Sequence, residues 1–136
     1  MTAGTDSGEA VTVVYSTTIT AVGEQVSAFL EHGILILFAA DAPEELHSIS
    51  VLHEADIRKT GPQPGDLVRI GDVEFPVLAV GPVVEDNLLN LGHVDFKADG
   101  RTDAKLPGDV CVPKDVLVMP AVGSTLSILR PSADLP

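Results

Sequence analysis

Residues 66–80 read Asp-Leu-Val-Arg-Ile-Gly-Asp-Val-Glu-Phe-Pro-Val-Leu-Ala-Val, and this stretch decides the fold class. Leu67–Ile70 and Val73–Ala79 are β-rich arms around Gly71-Asp72, a two-residue hairpin signal with glycine first. Pro76 lacks an N–H, so the second arm is expected to be an edge or bulged strand. Outward from it, Val11–Thr20 is β-branched nearly throughout and predicts a strand. Ile34–Ala39 is a continuous apolar run of strand length, expected to be buried on both faces. Ile49–Ile57 predicts a strand around His53. Short strands are further expected at Val94–Lys97, Asp109–Val112, Val116–Met119 and Thr125–Leu129. Helical spacing appears over Glu24–His32, stopped by Gly33, and over Val83–Leu91, stopped by Gly92. Asp41-Ala42-Pro43 opens a short helical turn, with Asp41 as its cap and Pro43 inside the first turn. Lys59–Gly65 is a loop carrying two prolines and two glycines. Many short strands with frequent Gly/Pro turns predict an all-β, barrel-like domain of short antiparallel strands with one or two short helices.

The chain of 136 residues suits one domain over 11–130. Residues 1–10 read as a flexible N-terminus and 131–136 as a tail. An echo links Pro64-Gly65-Asp66-Leu67 with Pro107-Gly108-Asp109-Val110, and Asp72-Val73 with Asp115-Val116. It suggests two related β-units.

Apolar residues make up 45% and aromatics only 4%, so the core must be aliphatic. A chain with this much to bury is not a disordered one. Cys111 is the single cysteine, which excludes a disulfide framework and a cysteine zinc cluster. It is expected to be an inert core thiol. Twenty acids face eight bases, for a net charge of −12. No Lys or Arg precedes Arg58, whereas nine Asp and Glu do. Nucleic acid and anionic membrane surfaces are therefore unfitting partners, and a basic protein is favoured. Neither an export signal nor a spanning segment is visible, so a soluble cytoplasmic protein is expected. No Walker, Rossmann or Gly-x-Ser-x-Gly motif is present.

The chemistry then falls to four histidines. His32, at a helix end, and His47, in an acidic turn, read as structural or solvated. His53, among apolar residues and before Glu54 and Asp56, is one functional candidate. His93, after the Gly92 stop and poised to point across a groove, is the other. A metal site of His47, His53 and Asp56 matches no standard ligand spacing.

The stretch Pro76–Val94, with its Val80-Gly81, Asn87-Leu88 and Leu91-Gly92-His93, closely resembles the glucitol/sorbitol-specific enzyme IIA family of the bacterial phosphoenolpyruvate-dependent phosphotransferase system. Phe96-Lys97-Ala98-Asp99-Gly100 and the opening strand Val13–Thr20 extend the likeness to about residues 11–129. The resemblance implies that His53, behind Ala42-Pro43 and ahead of Pro64-Gly65, is the phospho-acceptor. It implies a phosphotransferase component that receives the group from the histidine-containing phosphocarrier protein. The group would pass on to enzyme IIB, with membrane IIC binding the polyol, and no metal or organic cofactor would be needed. In the family a second histidine and Gly-Glu follow; here Glu54-Ala55-Asp56 stand instead. Backbone amides, Ser48, Ser50 or a hydrogen bond from His93 are candidates to support the phosphate, and Glu54 and Asp56 are expected to face solvent. A non-catalytic docking module of the same fold is the alternative. The edge about Pro76 could pair two copies in a homodimer.

Overall fold

The computed structural model describes residues 10–132. The strands are β1 (Val11–Val22), β2 (Ile34–Ala39), β3 (Val51–Arg58), β4 (Leu67–Ile70), β5 (Val73–Pro76), β6 (Ala79–Val80), β7 (Val94–Lys97), β8 (Asp109–Cys111) and β9 (Thr125–Pro131). Between them lie α1 (Val26–Glu31), a 3-10 helix (Glu44–Ile49) and α2 (Val84–Leu91). The strands form one sheet in the order β5-β4-β9-β1-β3-β2-β7-β8-β6. Its aliphatic core holds Ile19, Leu35, Leu37, Val51, Leu88, Leu126 and Ile128, with Tyr15 and Phe96 as its largest members.

Two features correct the expected barrel of short antiparallel strands. The sheet is mixed, because β2·β3 and β7·β8 are parallel pairs. The connections that feed these pairs, the 3-10 helix and the loop after β7, let the chain re-enter in the same direction. The sheet is also not closed. Its two end strands, β5 and β6, are consecutive pieces of one run of chain joined by Val77-Leu78. Val77 N–H donates to the Asp66 carbonyl and Leu78 N–H to that of Cys111, so partners change within two residues. The ends therefore meet through covalent chain and not through a ladder. Nor is every strand short: β1 runs for twelve residues and bends at register shifts against β3 and β9.

The hairpin is built as its sequence predicts, with Ile70 opposite Val73, Gly71 at φ +58° and Pro76 on an end strand. Both expected helix stops hold, at Gly33 (φ +75°) and Gly92 (φ +63°). Val116–Met119 forms no strand, and its valines and leucine cover the core as a loop. The turn after Asp41 is a 3-10 helix with Pro43 as its N-cap, so neither Asp41 nor Pro43 holds the expected place. The expected flexible N-terminus lies outside the described residues, apart from Ala10. Pro131 belongs to β9, and Ser132 N–H donates to the Ala10 carbonyl; residues 133–136 lie outside the described part.

The sequence echo has a structural counterpart. Asp66 and Asp109 are both buried at the start of a strand. Their N–H groups donate to the carbonyls of Gln63 and Leu106, three residues back. Each carboxylate meets one cation, Arg130 at 2.8 Å and Lys97 at 3.2 Å. The echo ends at Asp115, which takes a left-handed turn (φ 63°) where Asp72 closes a hairpin. Arg130 contacts both oxygens of Asp66 and also donates to the Gly61 carbonyl, tying β9 to the loop before β4. Removing one partner of a buried pair leaves an uncompensated charge. Arg130→Met is expected to cost about 3 kcal/mol or more in urea unfolding. Arg69→Met, which breaks the exposed Arg69–Glu74 pair, is expected to cost less than about 1 kcal/mol.

Candidate functional site

The site begins with a register. β3 lies between β1 and β2, with His53 opposite Ile19 on one side and Ala39 on the other. β7 lies beyond β2, and the Gly92 that precedes it comes against Ala39. His53, although polar, is thus central to the sheet, and it is only 1% exposed. A buried imidazole needs partners at both nitrogens, because an unpaired buried polar group is costly. Both are present. Nδ1 lies 2.6 Å from Thr17 Oγ1, and Nε2 lies 2.7 Å from the Gly92 carbonyl oxygen.

This pair of contacts fixes the protonation state. A carbonyl can only accept, so Nε2 carries a proton. Burial holds the His53 pKa below its ordinary value, with the Gly92 hydrogen bond pulling the other way. The ring is therefore neutral, and Nδ1 accepts from the Thr17 hydroxyl. The Tyr15 ring meets His53 edge-on at 6.3 Å. Burial pushes the Tyr15 hydroxyl up to about 12, against the opposing pull of Arg58.

Gly92 reaches His53 because of how α2 ends. Val84 and Leu88 anchor the helix in the core. Gly92 then turns left-handed, its N–H donating to the Leu88 carbonyl and the His93 N–H to that of Asn87. A Cβ here would sit 2.7 Å from the Ala39 nitrogen. Glycine is needed for both the positive φ and the close approach.

A cavity of about 360 Å³ opens beside His53, between the β2–β3 end of the sheet and α2. Gly92, Leu89, Asn90, Asp41 and Arg58 are among the residues lining it, whereas Thr17 is fully buried and is not. The Nε2 side of His53 accordingly faces the cavity and the Nδ1 side faces the core. Glu54 and Asp56 are exposed, as expected, with Glu54 at the cavity rim.

The other candidates lie elsewhere. The His93 ring stacks on Phe38 at 4.1 Å, with Nδ1 3.2 Å from the Leu37 carbonyl and Nε2 3.8 Å from Asp95. It is the backbone of its neighbour Gly92, not its ring, that bonds His53. Ser50 Oγ donates to the Leu46 carbonyl, and Ser48 lines a separate groove with His47. His47 Nε2 bonds the Ala42 carbonyl, and no group of three His, Cys, Asp or Glu suited to a metal exists among the described residues. Cys111 is buried and free, its thiol pushed up to about 11 by burial and by Asp99.

Sequence reading missed Arg58. Plain alternation puts residues 53 and 58 on opposite faces. In the ladder, Thr17 faces Ala55 and Ser16 faces Ile57, so Asp56 is an extra, bulged residue. Arg58 is thereby re-phased onto the face of His53, opposite Tyr15. A bulge of this kind leaves no mark in hydrophobic periodicity. The Gly92 carbonyl escaped for another reason: a sequence pattern does not display backbone acceptors.

Two outcomes follow. Gly92→Ala should destabilise the fold by at least about 2 kcal/mol in urea unfolding, from the left-handed backbone plus the Ala39 contact. The depressed His53 pKa means that, below about pH 6.5, the unfolded chain binds a proton the folded one refuses. Stability from this group is therefore lost as pH falls from about 6.5 toward the lower folded-state pKa. Relative to the non-titrating His53→Gln, the wild type should lose stability over that fall; a gap that stays constant or widens in its favour contradicts the assignment.

Known proteins match the chain over most of its length. A family model described as "PTS system glucitol/sorbitol-specific IIA component" matches residues 14–127. The glucitol/sorbitol-specific EIIA components of Shigella flexneri and Escherichia coli K12 are each 40% identical over 115 residues, covering 85% of this chain and 94% of theirs. The crystal structure of a PTS system IIA component from Enterococcus faecalis V583 superposes with a TM-score of 0.69 at 23% identity, over 82% of this chain and 96% of that one, which establishes the shared fold. The chain belongs to the glucitol/sorbitol-specific IIA component family of the PTS, a system of phosphoryl transfer.

Proposed function

We propose that the protein is a cytoplasmic phosphohistidine carrier in glucitol/sorbitol uptake, with His53 as the residue that carries the phosphoryl group. The donor is the histidine-containing phosphocarrier protein and the acceptor is enzyme IIB, with the polyol bound by the membrane IIC component. The observation that supports this reading is an imidazole beside an open cavity, its Nε2 bonded to Gly92, which also lines that cavity.

Nε2 is then the reacting atom, because Nδ1 faces buried Thr17. Attack needs a lone pair on Nε2, so the ring proton must reside on Nδ1. Thr17 allows this, because a hydroxyl both donates and accepts and can exchange roles by rotating. The Gly92 carbonyl cannot donate, so it must yield its place to the incoming group. The Nε2 lone pair forms the new P–N bond. The donor nitrogen keeps the electron pair of the bond that breaks, and the proton released from His53 passes to that nitrogen. Transfer of this kind depends on positioning and on stabilising the phosphoryl oxygens. His93 acts in positioning, through its stacked ring and the N–H bond that fixes Gly92.

The rim suits a basic donor. Asp41 and Glu54 line the cavity, and Leu91 stands exposed beside Gly92. Opposite charge steers such encounters. The full engagement of both His53 nitrogens favours the alternative, a docking module that keeps the fold without the chemistry.

Incubation with phosphoenolpyruvate, enzyme I and the phosphocarrier protein, followed by intact mass, separates the two. One acid-labile phosphoryl group that is absent from His53→Gln is expected. A label that survives the substitution moves the site to another histidine. No label, with partners active on a control carrier, establishes the docking module.

A further inference from the structure

The described residues include four arginines, and three are committed to carboxylates. Arg69 pairs with Glu74 at 2.8 Å, Arg101 with Asp103 at 3.6 Å and Arg130 with Asp66 at 2.8 Å. Arg58 alone has no carboxylate partner among the described residues, in a chain of net charge −12. Asp41 and Glu54 line the same cavity, yet neither approaches it as an ion pair. Arg58 is exposed and lines the cavity, with Tyr15 its partner in the ladder.

The Asp56 bulge is what puts it there. Without the extra residue, the five-residue step from His53 would point Arg58 to the other face. With it, Arg58 and His53 pair with Tyr15 and Ile19, which are four residues apart on β1 and share its inner face. A planar guanidinium is suited to phosphoryl oxygens, offering parallel N–H donors and a permanent charge.

We propose that Arg58 binds the oxygens of the phosphoryl group as it reaches and leaves His53, and that the Asp56 bulge serves to present it. The inference rests on His53 being the acceptor. Arg58 exchanges no proton and no electron pair in the step; it balances charge on the oxygens while the P–N bond to the donor breaks and that to Nε2 forms.

The test compares two donors, the phosphorylated phosphocarrier protein and phosphoramidate. Phosphoramidate has no docking surface. Its P–N bond breaks as the bond to Nε2 forms, and its nitrogen leaves as ammonia with the proton from His53. With Arg58→Gln, labelling should slow about 100-fold from both donors. Arg58→Lys should recover part of the rate, since it keeps the charge without the fork. Slowing with the protein donor alone makes Arg58 a docking contact and overturns the proposal. Wild-type rates from both donors overturn it as well, and unchanged urea midpoints exclude a folding effect. His53→Gln is the separate control: if it still labels, the acceptor reading fails before Arg58 is judged.

Discussion

The hydrogen bonds that hold His53 at both nitrogens tie together the parts on which the site depends. Thr17 belongs to β1, His53 to β3 and Gly92 to the end of α2. One ring thus joins the long central strand, its neighbour and the helix that closes over the sheet. The requirement is strict. A neutral buried imidazole needs one donor and one acceptor. The left-handed turn at Gly92, pressed against Ala39, delivers that carbonyl.

On the proposed reading, the same arrangement holds the ring ready and inactive. Burial keeps it neutral, which preserves a lone pair for attack. The Gly92 carbonyl nevertheless covers Nε2. Phosphorylation therefore means exchanging one oxygen partner, a carbonyl, for a phosphorus bearing three. The first accepts a proton and the second needs positive charge. On the proposed reading, Thr17 resolves the proton side by reversing its hydroxyl, and Arg58 on the same face meets the charge side. Asp41 and Glu54 line the cavity, where on the same reading they would face an approaching protein.

Much of the scaffold was legible from residue type. Gly71-Asp72 and Pro76 announced the hairpin and its edge, Gly92 the end of α2, and Ile34–Ala39 a strand in the core. These are local rules, and they held here, although the cap expected at Asp41 did not. What failed depended on distant partners. Val116–Met119 has the composition of a strand but no ladder to join. The expected barrel-like domain is an open sheet because β5 and β6 are pieces of one run. His53 stood out by its neighbours and by family resemblance. Arg58 did not, because a single bulge reversed its face, and Gly92 was visible as a helix stop but not as the acceptor that faces His53.

Nitrogen-resolved NMR of the histidine rings tests the central claim most directly. In the resting protein, His53 should be a neutral ring with its proton on Nε2, held in the Gly92 hydrogen bond. After phosphorylation, coupling to phosphorus should appear at Nε2 of His53, with Nδ1 keeping its contact to Thr17. Coupling at Nδ1, or on the ring of another histidine, would contradict the account.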